Sequence, residues 1–432
     1  MALSIPVMLS MIGTMLIGFV DVLMVAKIGT LEFGGASIGT VWINGTSVFG
    51  IGLMMGMDPI LSRAFGANDR NRLALTFQRG LILALAFSLP LSLSWAYGSR
   101  CLRLLGQAES VTDIAHRYVT IQIASVLPMM LFFACRQYLQ GMSITMPVTI
   151  VMLLANVFNY FANSVLIFGV GSFAGLGFDG AAIASTLTRF FMFLALLAVI
   201  RWWRLFDGYW IPWSRALWCR DSFVKISRFG LQTGFQYGLE GWAFQTGILM
   251  AGWVGVIALD AHSLVQNIVS LSFMIPFGLS MGACTRVGTL IGAGNTEGAS
   301  RTINVSLVLS ALVMVPIAVV FIFGRKILPS MITEDPEVIA LAATIFPIAA
   351  AFQLVDGVQV VGGGIMRGIE KHRVMIGFNI LGYWVLAMPI AAFCIRQLGF
   401  GVQTIWWVLF GALSLVALLL IVYLRKYTRD LR

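Results

Sequence analysis

The sequence predicts an all-α polytopic membrane protein: twelve transmembrane helices in two parallel-repeat six-helix lobes around a central cavity. Three observations predict it. Hydrophobic residues fill 59% of the 432 positions and charged residues only 11%, against roughly 25% charged in a soluble domain, and the mean hydropathy is +0.92. Apolar stretches of bilayer-crossing length, about 20 residues each, recur along the whole chain. The two halves of the chain also repeat one another. A water-soluble surface needs more polar residues than this, so a soluble domain, a disordered chain and a disulfide scaffold are excluded.

Breaks of charge, glycine and proline divide the first half into spans at 4–26, 35–60, 73–97, 117–140, 147–169 and 180–201. The second half divides into 229–254, 259–283, 303–324, 338–364, 373–396 and 402–424. Residues 1–201 and 229–432 are therefore expected to be the N- and C-terminal lobes. Between them, 202–228 carries Arg204, Arg215, Arg220, Lys225 and Arg228 among Trp203, Trp210, Trp213 and Trp218. That mixture is expected of a cytoplasmic interfacial linker. The opening run has no basic segment before it and no small-residue cleavage site after it, so it reads as the first span and not as a leader.

The net charge of +10 could suggest a nucleic-acid partner, but no basic run interleaved with aromatics supports one. Basic residues collect instead in alternate loops, about 20 on one side against about 7 on the other. This bias predicts cytoplasmic N- and C-termini, with Arg63, Arg136, Arg286 and Arg367 among the inside residues. The five cysteines are scattered without a CxxC pair and are expected as apolar fillers. No nucleotide-binding or catalytic motif occurs, so an enzyme is not expected, nor any cofactor beyond a coupling ion.

Shifting the first half by 226 positions brings Gly29 onto Gly255, Ser37 onto Ser263 and Gly52-Leu53 onto Gly278-Leu279. Without a gap, Gly56 then meets Gly282 and Gly66-Ala67 meets Gly292-Ala293. Six spans per half start both halves on the same side, which makes the repeat parallel; transporters use such repeats to place a cavity between two bundles. Recurring glycines allow close helix approach.

Polar residues inside spans are costly and therefore informative. Asp21 lies late in the first span. Asn156, Asn159 and Asn163 follow i, i+3, i+7 in the fifth and share one face. If Asp21 meets that face, the cluster could hold a proton, since burial disfavours the charged form. It could equally hold a sodium ion through Asp21, Asn159 and Asn163, or merely clamp helices together. Gln232, Gln236 and Glu240 form a stripe in the seventh span, and Asp356 lies in the tenth between Gln353 and Gln359. Two acids there suggest a surface for an organic or inorganic cation; paired acids that only pack helices are the alternative. Arg189, deep in the sixth span, reads as structural. His116, His262 and His372 form no ligand pattern and are expected at solvated edges.

Taken in order, Pro6, Asp21, the Gly52-to-Gly56 pair, Gly66-Ala67, Gln137-Tyr138-Leu139-Gln140-Gly141, Pro147, Asn159 and Asn163 resemble the MATE family of multidrug and toxic compound extrusion transporters. In the second half Glu240, Pro276, Gly278, Gly282, Gly292-Ala293, Asp356 and Arg367-Gly368 extend the resemblance. It implies a proton- or sodium-coupled antiporter that exports cationic and amphipathic compounds by alternating access. Small organic cations and the bilayer would be its partners, a monomer its working unit and the bacterial inner membrane its location. Glu240 and Asp356 are similar to acidic positions of the NorM subgroup, and Asn163 stands where the DinF type usually has Asp. Phe352 departs from a NorM-type tyrosine, which removes a hydroxyl ligand there. A flippase of lipid-linked precursors or a metabolite exporter of the same superfamily is the alternative; a flippase would need a basic cavity, whereas this interior is expected to be acidic and amide-rich.

Overall fold

A computed structural model describes residues 3–104, 109–171, 174–207 and 210–431; Gly208 and Tyr209, in the expected linker, lie outside the described residues. The regular elements are helices, joined by short turns. In chain order they are α1 (Ser4–Val25), α2 (Thr30–Met55), α3 (Asp58–Gly66), α4 (Arg70–Ala96), α5 (Gly98–Leu104) and α6 (Glu109–Gln122). Then follow α7 (Val126–Gly141), α8 (Met146–Phe168), α9 (Phe178–Trp202), α10 (Arg220–Val254), α11 (Val256–Gly292) and α12 (Thr296–Phe323). The rest are α13 (Ile327–Ser330), α14 (Pro336–Gly368), α15 (His372–Asn379), α16 (Met388–Leu398) and α17 (Gln403–Asp430). Between α15 and α16 the chain winds as a π-helix over Ile380–Ala387.

Among the described residues eleven helical stretches are long and apolar enough to cross a membrane. The twelfth expected span lies within α10, which is long enough but diluted by Gln232, Gln236, Glu240 and Gln245. The helix that falls short on apolarity is thus one that carries a candidate acid. α10 also starts earlier than expected, so residues 220–228, read as linker, form its first turns. Upstream, the short 3₁₀ turn Arg215–Trp218 is held against α4: Arg79 donates to the carbonyls of Leu217 (2.9 Å) and Ala216 (2.6 Å), and Gln78 to that of Ile211 (2.7 Å). The tryptophans 202, 203, 210, 213 and 218 are exposed.

The chain forms two compact units, Leu9–Gly234 and Met1–Met8 with Phe235–Arg432. The first has a core that includes Phe77, Trp95, Phe132, Tyr138 and Leu61. The second has one core around Phe346, Phe352, Tyr383 and Trp406 and another around Val287, Ile365, Met366 and Leu420. Lipid tails are as apolar as leucine, so close packing must hold such helices together. The repeated glycines serve it. In the first unit, a Cβ on Gly52 or Gly56 of α2 would overlap the backbone of Gly234 or Gly230 of α10. In the second, a Cβ on Gly278 or Gly282 of α11 would overlap Met8 or Ser4 of α1. The positions aligned by the 226-residue shift do the same work in both units.

Three expectations change. Arg136, counted among the inside residues, is buried in α7 over the Phe133 ring. His262 and His372, expected at solvated edges, are buried, and His262 accepts a hydrogen bond from Trp406 Nε1 at Nδ1 (3.1 Å). Each lies on a helix face covered by neighbours, which residue type alone does not reveal.

The Gly56 contact can be tested in detergent. Gly56→Ala should lower stability by roughly 1–3 kcal/mol, the usual cost of overpacking. Gly45→Ala, on the same helix with open space around it, should not. Equal melting temperatures for the two variants would refute the close approach.

Candidate functional site

In the first unit, α1 sets Asp21 against α8 and α9. Residues four apart on a helix lie one above the other, and Asn159 and Asn163 of α8 meet the carboxylate in that way. Asn159 Nδ2 donates to Asp21 Oδ1 at 3.0 Å and Asn163 Nδ2 to the same oxygen at 2.6 Å. Ser185 Oγ of α9 donates to Oδ2 at 2.7 Å. Asn163 also donates to Asn159 Oδ1 (3.3 Å), and Asn159 to Thr188 Oγ (3.3 Å). Asp21 is 8% exposed, and both asparagines are fully buried. Arg189 lies near enough to Asp21 to attract it, but its hydrogen bond goes to Ser125 Oγ (2.8 Å), and its guanidinium lies over the Trp95 ring.

Asp21, Asn159 and Asn163 are therefore brought together. Asn156 is not: it is half-buried and donates to the carbonyls of Gly13 (3.0 Å) and Met152 (2.8 Å). Seven residues separate it from Asn163, about 10 Å along the axis at 1.5 Å per residue. It shares the face without reaching the acid. Sequence reasoning missed Ser185, and a serine followed by threonines in an apolar helix offers no signal to find it. The amides of Asn159 and Asn163 turn their NH₂ groups toward Asp21, an arrangement that suits a charged carboxylate as acceptor.

In the second unit, α10, α14 and the segment from α15 through the π-helix assemble another cluster. Glu240 is 6% exposed, Asp356 1%, and Gln236, Gln359, Asn379 and Tyr383 are buried. Gln359 lies within hydrogen-bonding reach of Glu240 and donates to Asn379 Oδ1 at 3.3 Å. Glu240 and Asp356 stand near enough to repel each other when both are charged, and Arg367 lies near enough to attract Glu240. Arg367 itself donates to Ser280 Oγ (3.0 Å) and lies over the Tyr237 ring. Several buried atoms of the cluster have no hydrogen-bond partner: Glu240 Oε1, Asp356 Oδ1, Gln236 Oε1, Gln359 Oε1, Asn379 Nδ2 and the Tyr383 hydroxyl. Gln353 turns away and donates to Ser272 Oγ. Phe352 packs its ring edge-on to Phe244 and Trp406, with centroids 6.0 and 5.7 Å away.

Buried acids on packed membrane helices, in two units built from one repeat, are the site features against which relatives can be set. A MatE family model matches residues 6–165 and 233–393, more than half of the chain. The chain belongs to the MatE family. This MatE chain is 30% identical over 410 residues to the probable multidrug resistance protein NorM of Bradyrhizobium diazoefficiens, across 94% of this chain and 88% of that one. It is 28% identical over 426 residues to the multidrug and toxin extrusion protein 2 of Mus musculus, across 98% and 73%. Among solved structures, the eukaryotic MATE transporter AtDTX14 superposes with a TM-score of 0.89 at 19% identity, across 100% of this chain and 97% of that one. The MatE fold and the NorM-like grouping expected from the sequence are thus borne out. This MatE protein is an integral membrane transporter.

A double-mutant cycle measures the carboxylate contacts. Asp21→Asn and Ser185→Ala should couple by at least about 0.5 kcal/mol in thermal stability, as expected of neighbours sharing a hydrogen bond. Asp21→Asn and Asn156→Ala should be additive. The reverse pattern would place the wrong residue beside the acid.

Proposed function

We propose that this protein is a cation-coupled multidrug antiporter that exports cationic and amphipathic compounds by alternating access. The names of its relatives support multidrug substrates. The single observation that carries the coupling mechanism is the Asp21 carboxylate, which accepts hydrogen bonds from Asn159, Asn163 and Ser185 inside a membrane helix bundle.

A proton on Asp21 turns an acceptor into a donor. Both carboxylate oxygens already face donors, so the neutral acid must displace at least one of them. Ser185 can rotate to accept, and Asn163 Oδ1, a buried acceptor with no partner, can receive the new O–H. Either change alters how α1 packs on α8 and α9, and thereby couples protonation to helix position. This donor-rich arrangement favours a proton over sodium at Asp21. In the second unit Glu240 and Asp356, with Gln236, Gln359 and Asn379, would receive the cationic group of the cargo or a second coupling cation. Cargo and ion can move the equilibrium only by binding the two states differently. The protein would work as a monomer in the bacterial inner membrane, with both termini in the cytoplasm.

The test uses proteoliposomes under an imposed pH or sodium gradient, each applied alone, with ethidium as cargo. Wild-type protein should move the dye against its gradient. Asp21→Asn should reduce coupled efflux to background while the protein still unfolds in a single cooperative transition; normal export by that variant would sink the coupling role. Separately, Glu240→Gln and Asp356→Asn should weaken export of cationic dyes more than that of neutral ones. Equal losses for both cargo types would remove these acids from cargo recognition.

A further inference from the structure

Tyr383 is fully buried, and its hydroxyl has no hydrogen-bond partner. Its ring packs in the apolar core, with the Phe244 centroid 6.2 Å away. A phenylalanine would provide that packing without burying a polar group, and an unpaired hydroxyl in the dark of a core is a net cost. The hydroxyl therefore needs another reason. Two carboxylates supply one: both Glu240 and Asp356 lie within electrostatic reach of the phenol.

The local backbone points the same way. Tyr383 sits in the π-helical stretch Ile380–Ala387, and such departures from α-geometry are found frequently at functional sites. Asn379, just before that stretch, is bound to Gln359, which lies beside Glu240. Next to Tyr383, Trp384 Nε1 donates to the Leu239 carbonyl at 3.1 Å, tying the stretch to the residue before Glu240. The unpartnered atoms of the cluster are mostly acceptors, namely oxygens of Glu240, Asp356, Gln236 and Gln359. A cluster rich in acceptors suits an occupant that brings positive charge or hydrogen-bond donors.

We infer that Tyr383 is a ligand-facing residue of the Glu240–Asp356 cluster, its hydroxyl oxygen joining the two carboxylates around a bound cation. This rests on the cation-binding role proposed above for those acids, and it assigns a site member that neither the spans nor the acid pattern indicates. With a cation bound, its oxygen lone pairs add to the acceptor set. Phe352, whose ring lies in the aromatic core, contributes no oxygen to the cluster.

The experiment compares purified wild-type protein with Tyr383→Phe, an isosteric change that keeps the ring. Melting temperature is followed as a function of sodium concentration at fixed pH, and of pH without sodium, because a cation that binds the folded state raises it. For whichever of the two probes stabilises wild type, the midpoint should shift about tenfold in Tyr383→Phe, toward higher sodium or higher proton concentration. The starting melting temperature should not fall. Adding Tyr383→Phe to Glu240→Gln/Asp356→Asn should cause no further shift. An unchanged midpoint in the single variant, or a lowered melting temperature with the midpoint intact, overturns the assignment and makes the hydroxyl a folding feature. So does a wild type that neither probe stabilises. These readouts need no transport, so failure of ethidium efflux would count against the proposed antiport without deciding the role of Tyr383.

Discussion

A carboxylate placed among apolar helices must be given its hydrogen bonds by the helices around it, because the bilayer core offers none. Everything distinctive in this protein follows from how that requirement is met twice. In the unit Leu9–Gly234, Asp21 takes three donors from two helices, and both of its oxygens are engaged. In the other unit, Glu240 and Asp356 each leave an oxygen without a partner. The first arrangement is complete and so is sensitive to a change of charge. The second leaves acceptors unpartnered, which the cation site proposed above would use. One repeat thus supports two different kinds of polar site.

The glycine pairs show what the repeat conserves physically. Where side chains would separate two helices, Gly52 and Gly56 bring α2 and its C-terminal cap onto Gly234 and Gly230 of α10, and Gly278 and Gly282 bring α11 onto Met8 and Ser4 of α1. Backbone contact of this sort has little slack: it is either made or lost. Such bistability is what a switching transporter needs, since packed interfaces move between discrete arrangements and do not deform continuously. The same closeness explains why the boundary between the compact units falls at Gly234, inside α10, and not at the ends of the expected lobes. The part of α10 from Arg220 to Gly234 belongs by contact to the helices it touches.

Most of the fold was legible because composition and span length leave few choices for a chain this apolar. The first acidic site was legible in part. Asp21, Asn159 and Asn163 stand out since each is expensive in lipid, and helical spacing puts the two amides on one face. Spacing around a helix does not report height along it, and so Asn156, on the same face, binds Gly13 and not the acid. The contact pattern also fixes direction: Gly13 to Asp21 on α1 tracks Asn156 to Asn163 on α8, so these helices run parallel. The second site was less legible. Glu240 and Asp356 were visible as acids, but Gln353 faces Ser272, and no periodicity announces that Tyr383 lies near them. Its position depends on a π-helical stretch and on packing between distant segments. The buried His262 was misplaced for a similar reason: its partner, Trp406, lies 144 residues away.

For the antiport proposed above, one carboxylate with several donors would be an economical switch. Moving a two-state equilibrium from 1:99 to 99:1 takes about 5.5 kcal/mol of differential affinity. Hydrogen bonds to a charged group contribute about 1.5–3 kcal/mol each. Asp21 accepts three of them, and exchanging even two on protonation supplies energy of the required order without breaking the core. A single apolar contact could not, because a proton does not change it. A surface ion pair could not either, since water screens it to about 1 kcal/mol or less. Under the proposed antiport the switch would be a buried acid held by donors that can change partners. Beside Asp21, Asn163 with its unpartnered buried oxygen and Ser185 with its rotatable hydroxyl would meet that condition.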